Sequence, residues 1–219
     1  MDRQKAVFLE SEGDGYFTRN AGKLVPRGDD PVVEALARLG IRSRAALEIG
    51  AANGHRLAVL HTAMGCTGAG IDPSAAAVEA GRAAFPGIDL RVGTADALPF
   101  ADAAFDLVIF GFCLYLVDPA LHFRAVAEAD RVLADGGHLV MVDFLPPFPY
   151  ANPYAHVPGL MASKHEYTRM FTAHPSYTLV QRTLIGATAG VPAPDDRVTI
   201  DLLAKRVAGA FPPNPYRGG

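Results

Sequence analysis

Two carboxylates and two glycines are spaced so that they could hold a small ligand. In Leu47-Glu48-Ile49-Gly50-Ala51-Ala52-Asn53-Gly54 an acid closes a short apolar run and two glycines follow. Gly50 allows a sharp turn and lets a ligand approach the backbone where a side chain would clash. Glu48 sets a carboxylate beside that turn. Asp72, in Ala69-Gly70-Ile71-Asp72-Pro73, ends the next apolar run. It falls about 20 residues past the glycine loop, where an acid accepts hydrogen bonds from ribose hydroxyls. The competing reading of Asp72 is a helix N-cap for the segment opening at Pro73-Ser74. This chemistry is the capture of a nucleoside cofactor, and on these residues alone NAD is not separated from other nucleosides. A dinucleotide site, however, spaces its glycines G-x-G-x-x-G, and this chain has E-x-G-x-x-x-G.

The elements that must position these residues alternate. The patterns predict strand 45–49, helix 54–64 with Leu57, Leu60 and Met64 on one stripe, strand 67–71, helix 74–84, strand 88–92, strand 105–110, helix 119–133 and strand 138–144. Continuous apolar runs such as Leu107-Val108-Ile109-Phe110 suit strands buried on both faces, and the order implies parallel pairing with helices on both sides. Upstream, Asp30-Pro31 is a helix start and Gly40 a stop. Residues 2–20 read as a short helix leading into Glu12–Asn20, with Gly13-Asp14-Gly15 arguing against regular structure in the middle. After residue 144, Pro146, Pro147, Pro149, Pro153 and Pro158 break regular elements, and Ser163-Lys164-His165-Glu166 has capping-box spacing for a short helix ending near Phe171. Segments 176–184 and 196–204 read as an antiparallel pair joined by a Gly/Pro-rich loop, followed by a poorly ordered tail.

With 219 residues, half of them apolar, the chain suits one domain with a full core. A net charge of −3 gives no electrostatic reason to expect nucleic acid. No apolar run reaches the length of a membrane span, the N-terminus is too short in apolar residues for a secretory signal, and the two cysteines lie in different elements. A cytoplasmic protein, monomer or homodimer, is the expectation.

The glycine loop, Asp72, Gly93-Thr94-Ala95-Asp96-Ala97 after the third strand, and the strands around Asp106 and Gly136-Gly137-His138 stand in one order over residues 45–144. In this the chain resembles class I S-adenosylmethionine-dependent methyltransferases. The resemblance implies a Rossmann-like α/β fold: a mostly parallel seven-stranded sheet with an antiparallel C-terminal strand and helices on both faces. It implies S-adenosyl-L-methionine as cofactor and S-adenosyl-L-homocysteine as product. Its site residues would be Glu48, Gly50, Ala52, Gly54, Asp72, Pro73, Asp96 for the adenine amino group, the Ala97 backbone N–H for the ring, and Phe112 near the sulfonium. Asp96 also reads as a plain turn residue, Asp106 as a strand residue bracing loops, and Cys113 as a packed thiol. Ala52 replaces the middle glycine of the commoner G-x-G-x-G form, which a turn with negative φ would tolerate.

Outside that core the stretch Glu12–Asn20 and Asn152-Pro153-Tyr154-Ala155-His156 resemble a bacterial methyltransferase subgroup of sugar and surface-glycan pathways. By that resemblance residues 1–40 cover the cofactor, with Tyr16 over the sulfonium and Arg19 on the methionine carboxylate, or else Arg19 is simply solvated. Residues 145–175 would form an acceptor-site lid within a single domain over 1–206, and 207–219 a tail. His156 is the candidate general base, beside a plainer structural or substrate-binding role. Tyr154, Lys164 and Tyr167 are candidate contacts to the acceptor, or pack the lid. The histidine spacing is no zinc set, so no metal is expected. The expected reaction is methyl transfer to oxygen or nitrogen of a small metabolite, an activated sugar among the candidates. The competing classes are a binding protein without chemistry and an NAD-dependent oxidoreductase with a degenerate loop.

Overall fold

Parallel pairing organises the molecule. The computed structural model describes residues 3–185 and 193–217; much of the loop expected before the last strand, 186–192, lies outside the described residues. Strand β1 (Ala45–Ile49) pairs in parallel with β2 (Thr67–Asp72) and β4 (Phe105–Gly111). Strand β2 pairs with β3 (Ile88–Val92), and β4 with β5 (Leu133–Phe144). Beyond β5 the sheet turns antiparallel: β9 (Val198–Lys205) lies between β5 and β8 (Tyr177–Ile185), opposite in direction to both. The order is β3-β2-β1-β4-β5-β9-β8. It reverses between β1 and β4, which opens a crevice above the C-terminal strand ends.

Helices cover both faces because the central strands are apolar on both. On one side α3 (Pro31–Arg38), α4 (His55–Met64) and α5 (Ala75–Ala84) bury Val32, Leu36, Leu57, Leu60 and Val78. On the other, α6 (His122–Val132) and the short α7 (Arg169–Thr172) bury Ala125, Ala129, Val132 and Phe171. Each fully buried Leu or Val contributes roughly 1.5–3 kcal/mol. The start of α3 is as read: Asp30 caps Val32 and Val33 through Oδ1 (3.0 and 3.2 Å), with Pro31 at the first helical position. Asp106 braces loops as expected, accepting from Ser43 Oγ at 2.6 Å and Arg44 N at 3.1 Å.

The N-terminal arm corrects the expectation of a break at Gly13-Asp14-Gly15. Helix α1 (Arg3–Val7) continues through a π-helical turn (Phe8–Glu12) into α2 (Gly13–Asn20). A Cβ at Gly13 would stand 2.7 Å from Phe8 O and 2.9 Å from Ser74 N. Glycine here lets the arm lie directly on the β2–α5 turn, and the contact offsets the roughly 1 kcal/mol that glycine costs a helix. Asp14 Oδ1 then accepts from Ser74 Oγ (2.7 Å) and Ala76 N (3.0 Å), fastening the arm to the first turn of α5.

The segment after β5 also differs. Tyr150–Pro153 (β6) pairs antiparallel with Met161–Lys164 (β7), so the prolines do not exclude regular structure. Pro153 ends its strand in a two-stranded ladder, where a missing N–H costs little. The capping box at Ser163 does not form: Ser163 and Lys164 belong to β7, and the Ser163 carbonyl accepts from the Tyr167 hydroxyl. Strand pairing has won over the local capping signal.

Candidate cofactor and active site

A cavity of about 270 Å³ lies over the C-terminal ends of β1, β2 and β4. Tyr16, Glu48, Gly50, Ala52, Asp72, Pro73, Asp96 and Phe112 from the sequence reading all line it. Gly50 sits at φ +77, and a Cβ there would stand 2.7 Å from Cys113 Cβ. The turn is therefore closed against the β4 loop, and a side chain has no room. Gly54, also at positive φ (+74), is not on the wall but starts α4 from behind it.

Ala52 has φ 48, not the negative φ expected. A left-handed alanine costs about 1–2 kcal/mol, and the arrangement it serves is visible: its N–H donates to Asp72 Oδ2 at 2.8 Å. Asp72 Oδ1 accepts from Ser74 N at 2.9 Å. The helix cap is Ser74, which accepts from Ala77 N at 3.0 Å, so Asp72 is not the N-cap. Burial pushes the Asp72 carboxyl up to about 6, against the pull of the Ser74 and Ala52 N–H groups.

Glu48 is buried, with one oxygen bonded to Arg56 Nη1 and the other, Oε2, without a partner. Burial raises its carboxyl, and the Arg56 charge works against that rise. Arg56 also meets Asp30 through Nε at 3.0 Å, which ties the α3 cap to the cavity floor. Asp96 is held by Lys5 Nζ at 2.7 Å. Burial alone would raise the Asp96 carboxyl, but hydrogen bonds from Lys5 and Thr94 bring it below the ordinary value. Phe112 takes φ 62, uncommon for a bulky side chain, and its ring packs on Tyr115 and Phe144 at 4.8 and 5.0 Å. Burial raises the Tyr16 hydroxyl, which bonds with Tyr115. Burial likewise raises the Cys113 thiol well above its usual range, consistent with a packed group rather than a nucleophile.

Other expected residues stand elsewhere. Arg19 does not reach the cavity wall; Glu12 holds its guanidinium, and Tyr154 bonds to the same Glu12 at 2.7 Å. Ala97 turns its N–H to Thr94 O at 3.3 Å and is off the wall. Lys164 pairs with Asp195 at 2.8 Å and lies 3.7 Å over the Phe144 ring. Tyr167 is 1% exposed and packs on His122 and His165, so it belongs to the core. His156 lies on the exposed turn between β6 and β7, its ring against Tyr154, outside the cavity. The hairpin carries it outward, so the general-base reading finds no support in the cavity's lining.

Residues missed by the sequence reading complete the wall: Lys5, Phe8, His55, Arg56 and Asp118. His55 and Arg56 had a signal, since they follow the glycine turn at a helix start. Lys5 had none, because its meeting with Asp96 spans 91 positions. Burial and the neighbouring Arg56 charge push the His55 imidazole down to about 4, so it is neutral.

Residues 47–141 match the methyltransferase domain family. The chain is 47% identical over 66 residues to the ubiquinone/menaquinone biosynthesis C-methyltransferase of Desulfotalea psychrophila, covering 30% of this chain and 26% of that protein. It is 31% identical over 128 residues to an uncharacterized methyltransferase of Mycobacterium bovis, covering 58% and 49%. The chain thus spans between about a quarter and a half of the length of these curated relatives. Among solved structures it superposes on Burkholderia thailandensis 1,6-didemethyltoxoflavin-N1-methyltransferase, determined with 1,6-didemethyltoxoflavin and S-adenosylhomocysteine. The TM-score is 0.72 at 15% identity, over 94% of this chain and 91% of the other, a likeness of fold. The match places residues 47–141 in the methyltransferase domain family, and the seven-stranded order around them is the fold of the class I S-adenosylmethionine-dependent methyltransferases.

Proposed function

We propose that this protein is an enzyme that binds S-adenosylmethionine in the cavity and passes its methyl group to a small, ring-shaped acceptor. The observation that carries the reading is the convergence of Asp72, Asp96, the closed Gly50 turn and Phe112 on one cavity at the point where the strand order reverses. The residues fit the cofactor. Asp72 is a strand-end acceptor for ribose hydroxyls, Asp96 an acceptor for the adenine amino group, and the buried unpaired Glu48 oxygen calls for a donor at the amino-acid end. Bound there, the cofactor supplies an electrophilic methyl group on sulfonium. The chain's own contribution is to hold the acceptor in line and keep water out. Phe8, Tyr16, Phe112 and Leu116 provide an apolar, aromatic wall for that purpose.

The same wall favours a flat ring over a sugar as acceptor. Tyr154, Lys164 and Tyr167, the groups expected to meet a sugar, are taken up by Glu12, Asp195 and Ser163. A ring whose hydroxyl ionises by itself, or a ring amine, needs little help from a protein base. Relatives named for quinone methylation support a ring acceptor, and one of them, named as a C-methyltransferase, adds a ring carbon to oxygen and nitrogen as the atom that takes the methyl group. Titration calorimetry with S-adenosylhomocysteine and NAD tests the cofactor: the first should bind, the second should not. Asp72→Ala should cost about 1.5–3 kcal/mol of that affinity. Unchanged affinity in a folded Asp72→Ala protein would remove the assignment. Mass spectrometry of methylated products, comparing demethylated quinols and phenols with sugar nucleotides, tests the acceptor.

A further inference from the structure

A second cavity, of about 330 Å³, lies between the N-terminal arm, the β6–β7 hairpin and the loop after β4. Arg3 and Gln4 come to it from the arm, Leu160, Met161 and Ser163 from the hairpin, and Asp118 from the loop. Asp118 also lines the first cavity, so one residue borders both, whereas none of residues 150–164 lines the first. The hairpin is held at its two ends by different parts of the chain. At its base Tyr150 Oη, Asn152 Nδ2 and Lys164 Nζ all donate to Asp195, at 2.6, 3.1 and 2.8 Å. Its tip, residues 153–161, is held by the arm. Met161 N donates to Gln4 Oε1 at 3.2 Å, Gln4 Nε2 donates to Met161 O at 3.0 Å, and Tyr154 Oη donates to Glu12 at 2.7 Å. Gln4 and Glu12 are both buried.

The same arm gives Lys5, Phe8, Gly13 and Tyr16 to the first cavity. Its π-helical turn, Phe8–Glu12, therefore has a cavity residue at its start and a hairpin contact at its end. Such turns are rare and recur at functional sites. We infer that the arm couples the two cavities: a cofactor seated in the first fixes the hairpin tip through Gln4 and Glu12, and so completes the second. The inference rests on the proposed function for what fills the first cavity. A ligand that touches the arm makes every opening that lifts the arm rarer, by up to about a hundredfold at roughly 100 times its Kd. Tip amides that depend on the arm share that protection, and the base, clasped by Asp195, does not. The second cavity is then whole only once the cofactor is in place, which puts the acceptor second in the order of binding.

Hydrogen exchange of the full chain, read by mass spectrometry with and without saturating S-adenosylhomocysteine, is the experiment. Exchange should slow in residues 3–20 and, by about tenfold, in residues 153–161, with little change at the hairpin base. Gln4→Ala combined with Tyr154→Phe removes polar links between arm and tip, and neither residue lines the first cavity. At saturating ligand this double variant should keep the arm's protection and lose the tip's. Tyr154→Phe alone, a smaller change, should lose part of it. Asp195→Asn should quicken exchange at the base and leave the tip's response to the ligand intact. Thermal melts confirm that each variant is folded. Protection of the arm without the tip in wild type would overturn the inference, as would full tip protection in the double variant. A wild type that does not bind S-adenosylhomocysteine in calorimetry would instead remove the proposed function on which the inference stands.

Discussion

Ala52 and Phe112 both hold left-handed backbone angles, φ 48 and 62, that their side chains rarely adopt. Such residues cost on the order of 1–3 kcal/mol and gather at ligand sites. Here the cost is linked to the cavity, because the Ala52 conformation aims its N–H at Asp72 and the Phe112 conformation sets its ring on the cavity wall. Asp72 brings a pH dependence of its own. Burial holds its carboxyl up to about 6 in the free protein, and ribose hydroxyls donate better to the ionised form. Ligand binding therefore favours loss of the proton, and affinity for S-adenosylhomocysteine should rise as pH increases through about 6, then level off. Calorimetry between pH 5 and pH 8 would measure this, and Asp72→Asn should flatten the slope. At this scale Gly50, Asp72 and Asp96 were legible, because glycine and strand-end acids have few other reasons to recur in that order. The places of His156, Tyr167 and Lys164 were not legible, because an aromatic or titratable side chain in a loop has the same sequence signature whether it faces a ligand, solvent or core.

Helices and strands repeat the lesson with a different cause. Elements of the parallel core matched their expected spans to within a few residues, since buried strands and amphipathic helices are set by local period. The arm and the β6–β7 hairpin did not, because each is decided by what it packs against. The helix carries a glycine at Gly13 because Phe8 O and the β2–α5 turn leave no space for a side chain there. Ser163 is in a strand because Tyr150–Pro153 offers it a partner. Asp14 makes the arm's dependence measurable. Its carboxylate meets both Ser74 Oγ and Ala76 N at the start of α5, and losing such a capping acceptor costs about 1 kcal/mol. Asp14→Ala should lower stability by about that amount in denaturant titration. It should also loosen the arm, seen as faster amide exchange in residues 3–20. Wild-type exchange in the variant would mean that the arm is held by its apolar contacts.

Across the whole molecule, the arm joins parts far apart in the chain. Gln4 donates to Leu116 O and Met161 O, Lys5 pairs with Asp96, Glu12 meets Tyr154, and Asp14 meets Ser74. Removing residues 1–20 should leave the sheet folded, since both core clusters draw their strands and helices from downstream. Cofactor affinity should nevertheless fall, because Lys5, Phe8 and Tyr16 leave the cavity wall. Circular dichroism and calorimetry on the truncated chain would check the two halves of that statement. Order of elements, parallel pairing, the glycine turn and its acids could be read from the residues in sequence, because each follows from local period or from backbone freedom at a single position. The left-handed Ala52, the neutral His55, the Lys5–Asp96 pair and the outward placing of His156 could not. Each depends on groups that come together through packing of segments tens of residues apart, and no local pattern carries that information.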